Sequence, residues 1–149
     1  MNSIILADDE TVVCTEFART LEGFGYRVEM CSTLESAVRS AKRRQFDAIL
    51  VEFNIRSEKR AHLRAGNGLK LIQKLRTAKV GIPILIFTAM EGDLYKRASV
   101  RAGADGFILK TTSVSSIVAR LRGYVWRQKR TSARDRSRDS GTGRTNWAR

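Results

Sequence analysis

Three features of the sequence predict one α/β domain: a five-stranded parallel sheet, order 2-1-3-4-5, flanked by helices on both faces. Short apolar runs alternate, five times in succession, with segments whose apolar residues recur every three or four positions. Three of the runs are apolar at consecutive positions, so both faces of their sheet must be covered. Strand–helix alternation implies right-handed crossovers and parallel pairing. Five such units in one open sheet suit the order 2-1-3-4-5, whose switch point lies between strands 1 and 3.

The elements follow in order. Ser3-Ile4-Ile5-Leu6-Ala7 is the first strand, and Val13, Phe17, Leu21 and Phe24 mark the first helix, punctuated by Gly23 and Gly25. Tyr26 to Cys31 alternates as a strand, and Leu34, Ala37, Val38 and Ala41 form the next helix face. Ala48-Ile49-Leu50-Val51 is the third strand, followed by the helical spacing of Leu69, Ile72 and Leu75. Pro83-Ile84-Leu85-Ile86-Phe87 is the fourth, with its proline at the first position, where no ladder donor is lost. Leu94, Ala98 and Ala102 give a short helix ending at Gly103, Gly106-Phe107-Ile108-Leu109 the fifth strand, and Val114, Ile117, Val118, Leu121 and Val125 the last helix. The periodicity stops near Arg130. Residues 1–130 are therefore read as the domain, and residues 131–149, rich in Arg, Ser, Thr, Gly and Asp, as a basic, disordered tail.

Composition bounds the function. The net charge is +13, and ten of the 28 Lys/Arg lie in residues 120–149 against two Asp. Such a segment attracts nucleic acid or another polyanion, or is simply a solvated tail. Cys14 and Cys31, with one His in the chain, cannot supply a zinc site and suit free thiols in a reducing compartment. No apolar run approaches the ~18 residues of a membrane span, and no secretion signal precedes the first strand. A cytoplasmic location without membrane contact is expected.

Polar residues stand where the strands stop. Asp8-Asp9-Glu10 follows strand 1, Glu52 and then Asn54 follow strand 3, Thr88-Ala89 closes strand 4 and Lys110 closes strand 5. The topology brings these ends to one edge of the sheet. Carboxylates from adjacent strands repel unless a cation or proton lies between them. Hard oxygen donors of this kind suit Mg²⁺, and a lysine and a threonine hydroxyl would complete a site for a phosphoryl group. Taken singly, each of these residues also fits a helix cap or a solvated strand end; their joint placement is what points to a site.

The four motifs together resemble the receiver domain of two-component response regulators, over residues 3–128. Asp8-Asp9-Glu10 resembles that family's first acidic cluster. The stretch Phe46-Asp47-Ala48-Ile49-Leu50-Val51-Glu52-Phe53-Asn54 resembles its third strand, Thr88-Ala89 its switch hydroxyl and following small residue, and Gly103 through Lys110 the segment carrying its switch aromatic and lysine. The resemblance implies the flavodoxin-like receiver fold. It also implies phosphoryl transfer from a histidine kinase or small donor to a strand-3 aspartate, with Mg²⁺, followed by remodelling of the face around helix 4, strand 5 and helix 5, a surface on which homodimers can form. Carried over, Asp8, Asp9, Glu52 and Asn54 would form the acidic pocket and metal site, with Asn54 offering its backbone carbonyl. Thr88, Phe107 and Lys110 would be the switch residues.

The sequence departs from the family in four places. Glu52 stands where the phosphoacceptor aspartate is expected; its carboxylate, one methylene longer, is poorly placed for in-line attack. It either mimics a phosphoryl group, with one charge against roughly two, or only inactivates the site. Thr111 follows Lys110 where the family has proline, so either a strained cis bond or a trans bond with a displaced Lys110 is expected. The connection after strand 3 is longer than the family's by about six residues and carries Arg56, Lys59, Arg60 and Arg64. One of these arginines pairs with Asp8, Asp9 or Glu52 and displaces the metal, or the loop is a mobile surface segment. Finally, no recognisable effector domain follows.

The expected function is thus a stand-alone, atypical receiver, not an enzyme, working through contacts with a kinase or a downstream protein. One alternative is a nucleic-acid-binding regulator using the basic tail. Another is a small Mg²⁺-dependent aspartyl phosphatase, but its Asp-x-Asp nucleophile motif is replaced here by Asp8-Asp9-Glu10.

Overall fold

The computed structural model describes residues 1–139. Strands and helices alternate throughout: β1 (Asn2–Ala7), α1 (Thr11–Gly23), β2 (Tyr26–Cys31), α2 (Leu34–Arg43), β3 (Ala48–Val51), α3 (Asn67–Thr77), β4 (Ile84–Thr88), α4 (Asp93–Ala102), β5 (Gly106–Leu109) and α5 (Val114–Asp139). The strands form one sheet of order β2-β1-β3-β4-β5, and every pairing is parallel. The expected topology is therefore present.

Alternation along the strands sorts the side chains into two cores. Ile5, Ala7, Ile49, Val51, Ile84 and Ile86 face one side, where Leu34, Ala37, Leu71, Ile72, Leu75 and Ala102 from α2, α3 and α4 cover them. Ile4, Leu6, Ala48, Leu50, Leu85, Phe87 and Ile108 face the other, under Cys14, Leu21, Ile117, Val118, Leu121 and Val125 from α1 and α5. Burial of apolar area at about 25 cal/mol per Å² is what holds the layers together. Among the described residues no helix is long and apolar enough to cross a membrane.

The long connection after β3 is anchored at both ends. Leu34 N donates to Arg56 O at 2.9 Å, Ser57 Oγ to Glu35 Oε1 at 2.6 Å, and Glu58 N to Glu35 Oε2 at 2.8 Å. Arg39 reaches Glu58 at 2.7 Å. At the far end the buried Asn67 side chain donates to Ile55 O and Leu63 O, and Gly66 N donates to Asn54 Oδ1. The loop is thus tied to α2 and to the start of α3, rather than standing off as a free surface segment.

One sequence expectation needs correction here, and one open alternative is decided. Residues 131–139, assigned above to a disordered tail, continue α5. The reasoning from missing apolar surface overlooked that a helix already nucleated by its packed turns gains one hydrogen bond for each residue it adds. This stretch also lacks Gly and Pro. Residues 140–149 lie outside the described residues. The Lys110–Thr111 peptide is trans, no cis bond occurring among the described residues, so the first of the two expected forms is not adopted.

Gly68 sets the distance between α3 and the end of β3. Its N–H donates to Phe53 O at 2.9 Å. A Cβ there would overlap the Glu52 carbonyl oxygen and lie 2.9 Å from Phe53 Cα. Both neighbours are backbone and cannot swing aside. Gly68→Ala is expected to cost roughly 1–3 kcal/mol, the usual penalty of overpacking, measured by urea denaturation. Gly23→Ala, with nothing within 4 Å of the added Cβ, should change stability by no more than ~1 kcal/mol.

Candidate functional site

Register brings the charged strand ends together. Ala7 is paired with Val51, so Asp8 and Glu52 emerge side by side; Glu52 N donates to Ala7 O at 2.9 Å. On the other flank Thr88 is paired with Leu109, and Lys110 N donates to Thr88 O at 2.8 Å. Asp8, Glu52 and Lys110 share the strand parity that faces α1 and α5, whereas Thr88 belongs to the opposite parity and leans in from beside Glu52.

Lys110 sits between the two carboxylates. Its Nζ lies 2.6 Å from Asp8 Oδ2 and 2.7 Å from Glu52 Oε2. The Asp8 side chain is only 1% exposed, and those of Glu52 and Lys110 are 12% and 15% exposed. Burial opposes the charge on Lys110, but the hydrogen bonds and negative charges of Asp8 and Glu52 outweigh it, holding its pKa above the ordinary lysine value. The Phe87 ring centroid lies 5.8 Å from Nζ, adding a cation–π contact.

The remaining oxygens are also engaged. Thr88, fully buried, donates from Oγ1 to Glu52 Oε1 at 2.7 Å. Glu10 N donates to Asp8 Oδ1 at 3.0 Å. The acidic residues after β1 do not serve as a side-chain cap for α1, whose N-cap Glu10 makes no capping bond and whose first turn holds no acid. Asp9 is paired with Arg64 of the long loop. Of the loop's four cations, Arg64 is the one that reaches this edge, three residues before Asn67, whose side chain holds Leu63 O at 2.6 Å.

The residues expected to share the site are not equally close. Asp8, Glu52, Thr88 and Lys110 form one contiguous cluster, and Asp9 joins its rim through Arg64. Asn54 turns its side chain to Met90 Sδ at 2.9 Å and to Gly66 N, while its own N–H makes a long contact of 3.4 Å to Glu52 Oε1. Phe107 stands apart, half-buried on β5 against the core that contains Ile86 and Ala102. Cys14, unremarked in the sequence beyond its free thiol, lies beside Asp8. Burial, reinforced by the Asp8 charge, pushes its thiol up to about 12.

This arrangement does not fit a Mg²⁺ ion. Such an ion needs several oxygen donors facing a common point. Here each oxygen of Asp8 and Glu52 already accepts a bond from the protein. Among the described residues no group of three or more His, Cys, Asp or Glu is placed to hold a metal. Lys110 and Arg64 supply, in this structure, the positive charge beside Asp8, Glu52 and Asp9 that a metal was expected to supply.

Comparison with known proteins gives a consistent family. Residues 4–122 match the response regulator receiver domain. The KDP operon transcriptional regulatory protein KdpE of Escherichia coli is 28% identical over 135 residues, covering 91% of this chain and 56% of that protein. The chain spans about half the length of the curated relatives it matches. A CheY-like receiver domain protein from Methanospirillum hungatei superposes with a TM-score of 0.76 at 20% identity, over 88% of this chain and 98% of that one. A response regulator from Burkholderia pseudomallei, crystallised with a phosphorylated aspartic acid, calcium ion and citrate, gives a TM-score of 0.70 at 27% identity, over 91% of this chain and 75% of that one. The fold, the strand-end cluster and these matches agree: the chain belongs to the response regulator receiver domain family of two-component signalling.

Proposed function

We propose that this chain is an atypical receiver module, one whose acidic pocket is closed by its own cations, and that it signals through protein contacts instead of a phosphoryl–metal cycle. The observation that carries this reading is the double engagement of Glu52, by the Thr88 hydroxyl on one oxygen and the Lys110 ammonium on the other. A phosphoryl group on a shorter aspartate would make the same two contacts, so Glu52 acts as a partial, permanent stand-in for one. Its single charge supplies about half of what a phosphoryl group carries.

Arg64 supports the same reading. Its guanidinium on Asp9 neutralises the acid that a divalent ion would otherwise need, and the loop that carries it is pinned to α2. A tethered cation loses less entropy than a captured ion. The module has no catalytic role in this reading. Its partners are a histidine kinase or a downstream signalling protein. The contact face is α4, β5 and the first turns of α5, where Leu94 and Val100 are exposed; a second copy of the chain could dock there.

Incubation with acetyl phosphate and Mg²⁺, read by intact mass, tests the role of Glu52. The wild type should show no added phosphoryl mass, whereas Glu52→Asp combined with Arg64→Ala should gain one. An adduct on the wild type would sink the proposal.

The cation lock is tested separately by calorimetric titration with Mg²⁺. The wild type should show no binding below about 1 mM, and the double variant should bind at least tenfold more tightly. Sub-millimolar binding by the wild type would show that Arg64 and Lys110 do not hold the pocket closed to metal.

A further inference from the structure

α5 is 26 residues long, roughly 39 Å at 1.5 Å per residue, and only part of it is packed. Its buried positions end at Val125. Gln128 Nε2 donates to Gly81 O at 2.8 Å, and Lys129 touches Asn2 at 3.1 Å and Asp47 at 3.5 Å. These partners lie at the starts of strands, the edge opposite the acidic pocket. Beyond them, residues 133–139 are exposed on all sides.

The exposed part is not uniformly charged around its axis. Arg127, Arg130, Arg134 and Arg138 follow one another at spacings of three, four and four, which places them on one face. Arg120 falls on the same line two turns earlier. The face is opposite the apolar stripe of Ile117, Leu121 and Val125. Asp135 and Asp139 fall outside it, toward the packed side. Like charges at i and i+4 each destabilise a helix by about 0.2–0.5 kcal/mol, so this stripe costs stability and contributes nothing to the core. Where it leaves the body it is ordered by aromatic rings: the Arg127 guanidinium lies 4.8 Å from the Tyr124 ring centroid, and that of Arg130 lies 4.6 Å from Trp126, itself 58% exposed.

We propose that this arginine face of α5 is a binding surface for duplex DNA, held through the phosphate backbone. A membrane surface is a poor fit, because residues 127–139 include one apolar residue, Ala133, and no apolar face to bury. A protein partner would ordinarily engage large apolar or aromatic anchors at the centre of the contact, and among the described residues beyond Trp126 there are none. Single strands are bound on rows of stacking aromatics, and the described part of this face carries no such row. A helix about 10–12 Å wide fits the B-form major groove, and arginine forks match phosphate oxygens two at a time. The stripe is independent of the acidic pocket, so failure of one proposal leaves the other standing.

The test is fluorescence anisotropy of a labelled 20-base-pair duplex with the full chain. Wild-type affinity should fall roughly a hundredfold between 50 and 200 mM salt, as four neutralised phosphates require. The variant Arg127→Gln, Arg130→Gln, Arg134→Gln, Arg138→Gln keeps helix propensity, which circular dichroism verifies. It should bind at least tenfold more weakly at 50 mM salt with a flatter salt dependence. Lysine at the same four positions should restore most of the affinity. Arg56→Gln, Lys59→Gln, Arg60→Gln, Lys74→Gln removes equal charge from another surface and should bind as the wild type does. The proposal is overturned if the wild type fails to bind at 50 mM salt, or if the two glutamine variants lose affinity equally. It is also overturned if polyglutamate competes as well as DNA at equal charge, which would mark an acidic protein as the partner.

Discussion

Two carboxylates at the ends of neighbouring parallel strands impose the condition around which this molecule is arranged. β1 and β3 are neighbours because of the strand order, and their register leaves Asp8 and Glu52 no room to diverge. Two unit charges 4 Å apart interact by about 4 kcal/mol at an effective dielectric near 20. Repulsion on that scale is a sizeable part of a domain's net stability. Lys110 turns it into two attractions, and β5 is the strand that delivers it. The places of β1, β3, β4 and β5 are thus coupled to the charge balance of one edge.

Filling the pocket with side chains has consequences beyond charge. A bound divalent ion can leave, and its occupancy follows concentration. Lys110 and Arg64 belong to the chain, so their presence beside the acids does not depend on an ion concentration. The cost is the order demanded of the connection carrying Arg64, which is met locally: Glu35 accepts from Ser57 and from the Glu58 backbone, and Thr33 and Arg39 bind the Glu58 side chain. Thr33 thereby does two things at once, since it also closes the capping box with Ser36 at the start of α2. Gly68 adds the steric half of the arrangement by letting α3 approach the Glu52 backbone.

The sequence made the sheet and its polar edge legible because both depend on local pattern. Consecutive apolar residues at Ala48–Val51 and Ile84–Phe87 can only be strands covered on both faces, and the first polar residue after each run marks its end. Asp8, Glu52, Thr88 and Lys110 were found by that rule. What pattern could not supply was loop conformation. Four cations lay between Glu52 and α3, and selection of Arg64 depends on Asn67 and Asn54 folding the chain back, contacts with no periodic signature. The same holds for Cys14, whose place beside Asp8 follows from how α1 crosses the sheet. The end of α5 was misread for a different reason. Apolar periodicity reports where a helix is packed, not where it stops, and residues 131–139 extend a helix that packing has already nucleated.

α5 begins beside the pocket and ends far from it. Val114 and Ile117 line a small cavity of about 100 Å³ with Asp8, Cys14, Phe87 and Lys110, whereas Gln128 and Lys129 dock at the opposite edge of the sheet. The two charged regions are therefore separated by most of a helix roughly 39 Å long, against a screening length of about 8 Å at physiological ionic strength. Acids in the pocket cannot neutralise the arginines at the far end, and the arginines cannot stand in for Lys110. Each region has to find its counter-charge nearby. The pocket finds it within the chain, in Lys110 and Arg64. Along residues 127–139 six Lys and Arg stand against two acids, Asp135 and Asp139. That imbalance is local, and an anionic partner is what would relieve it.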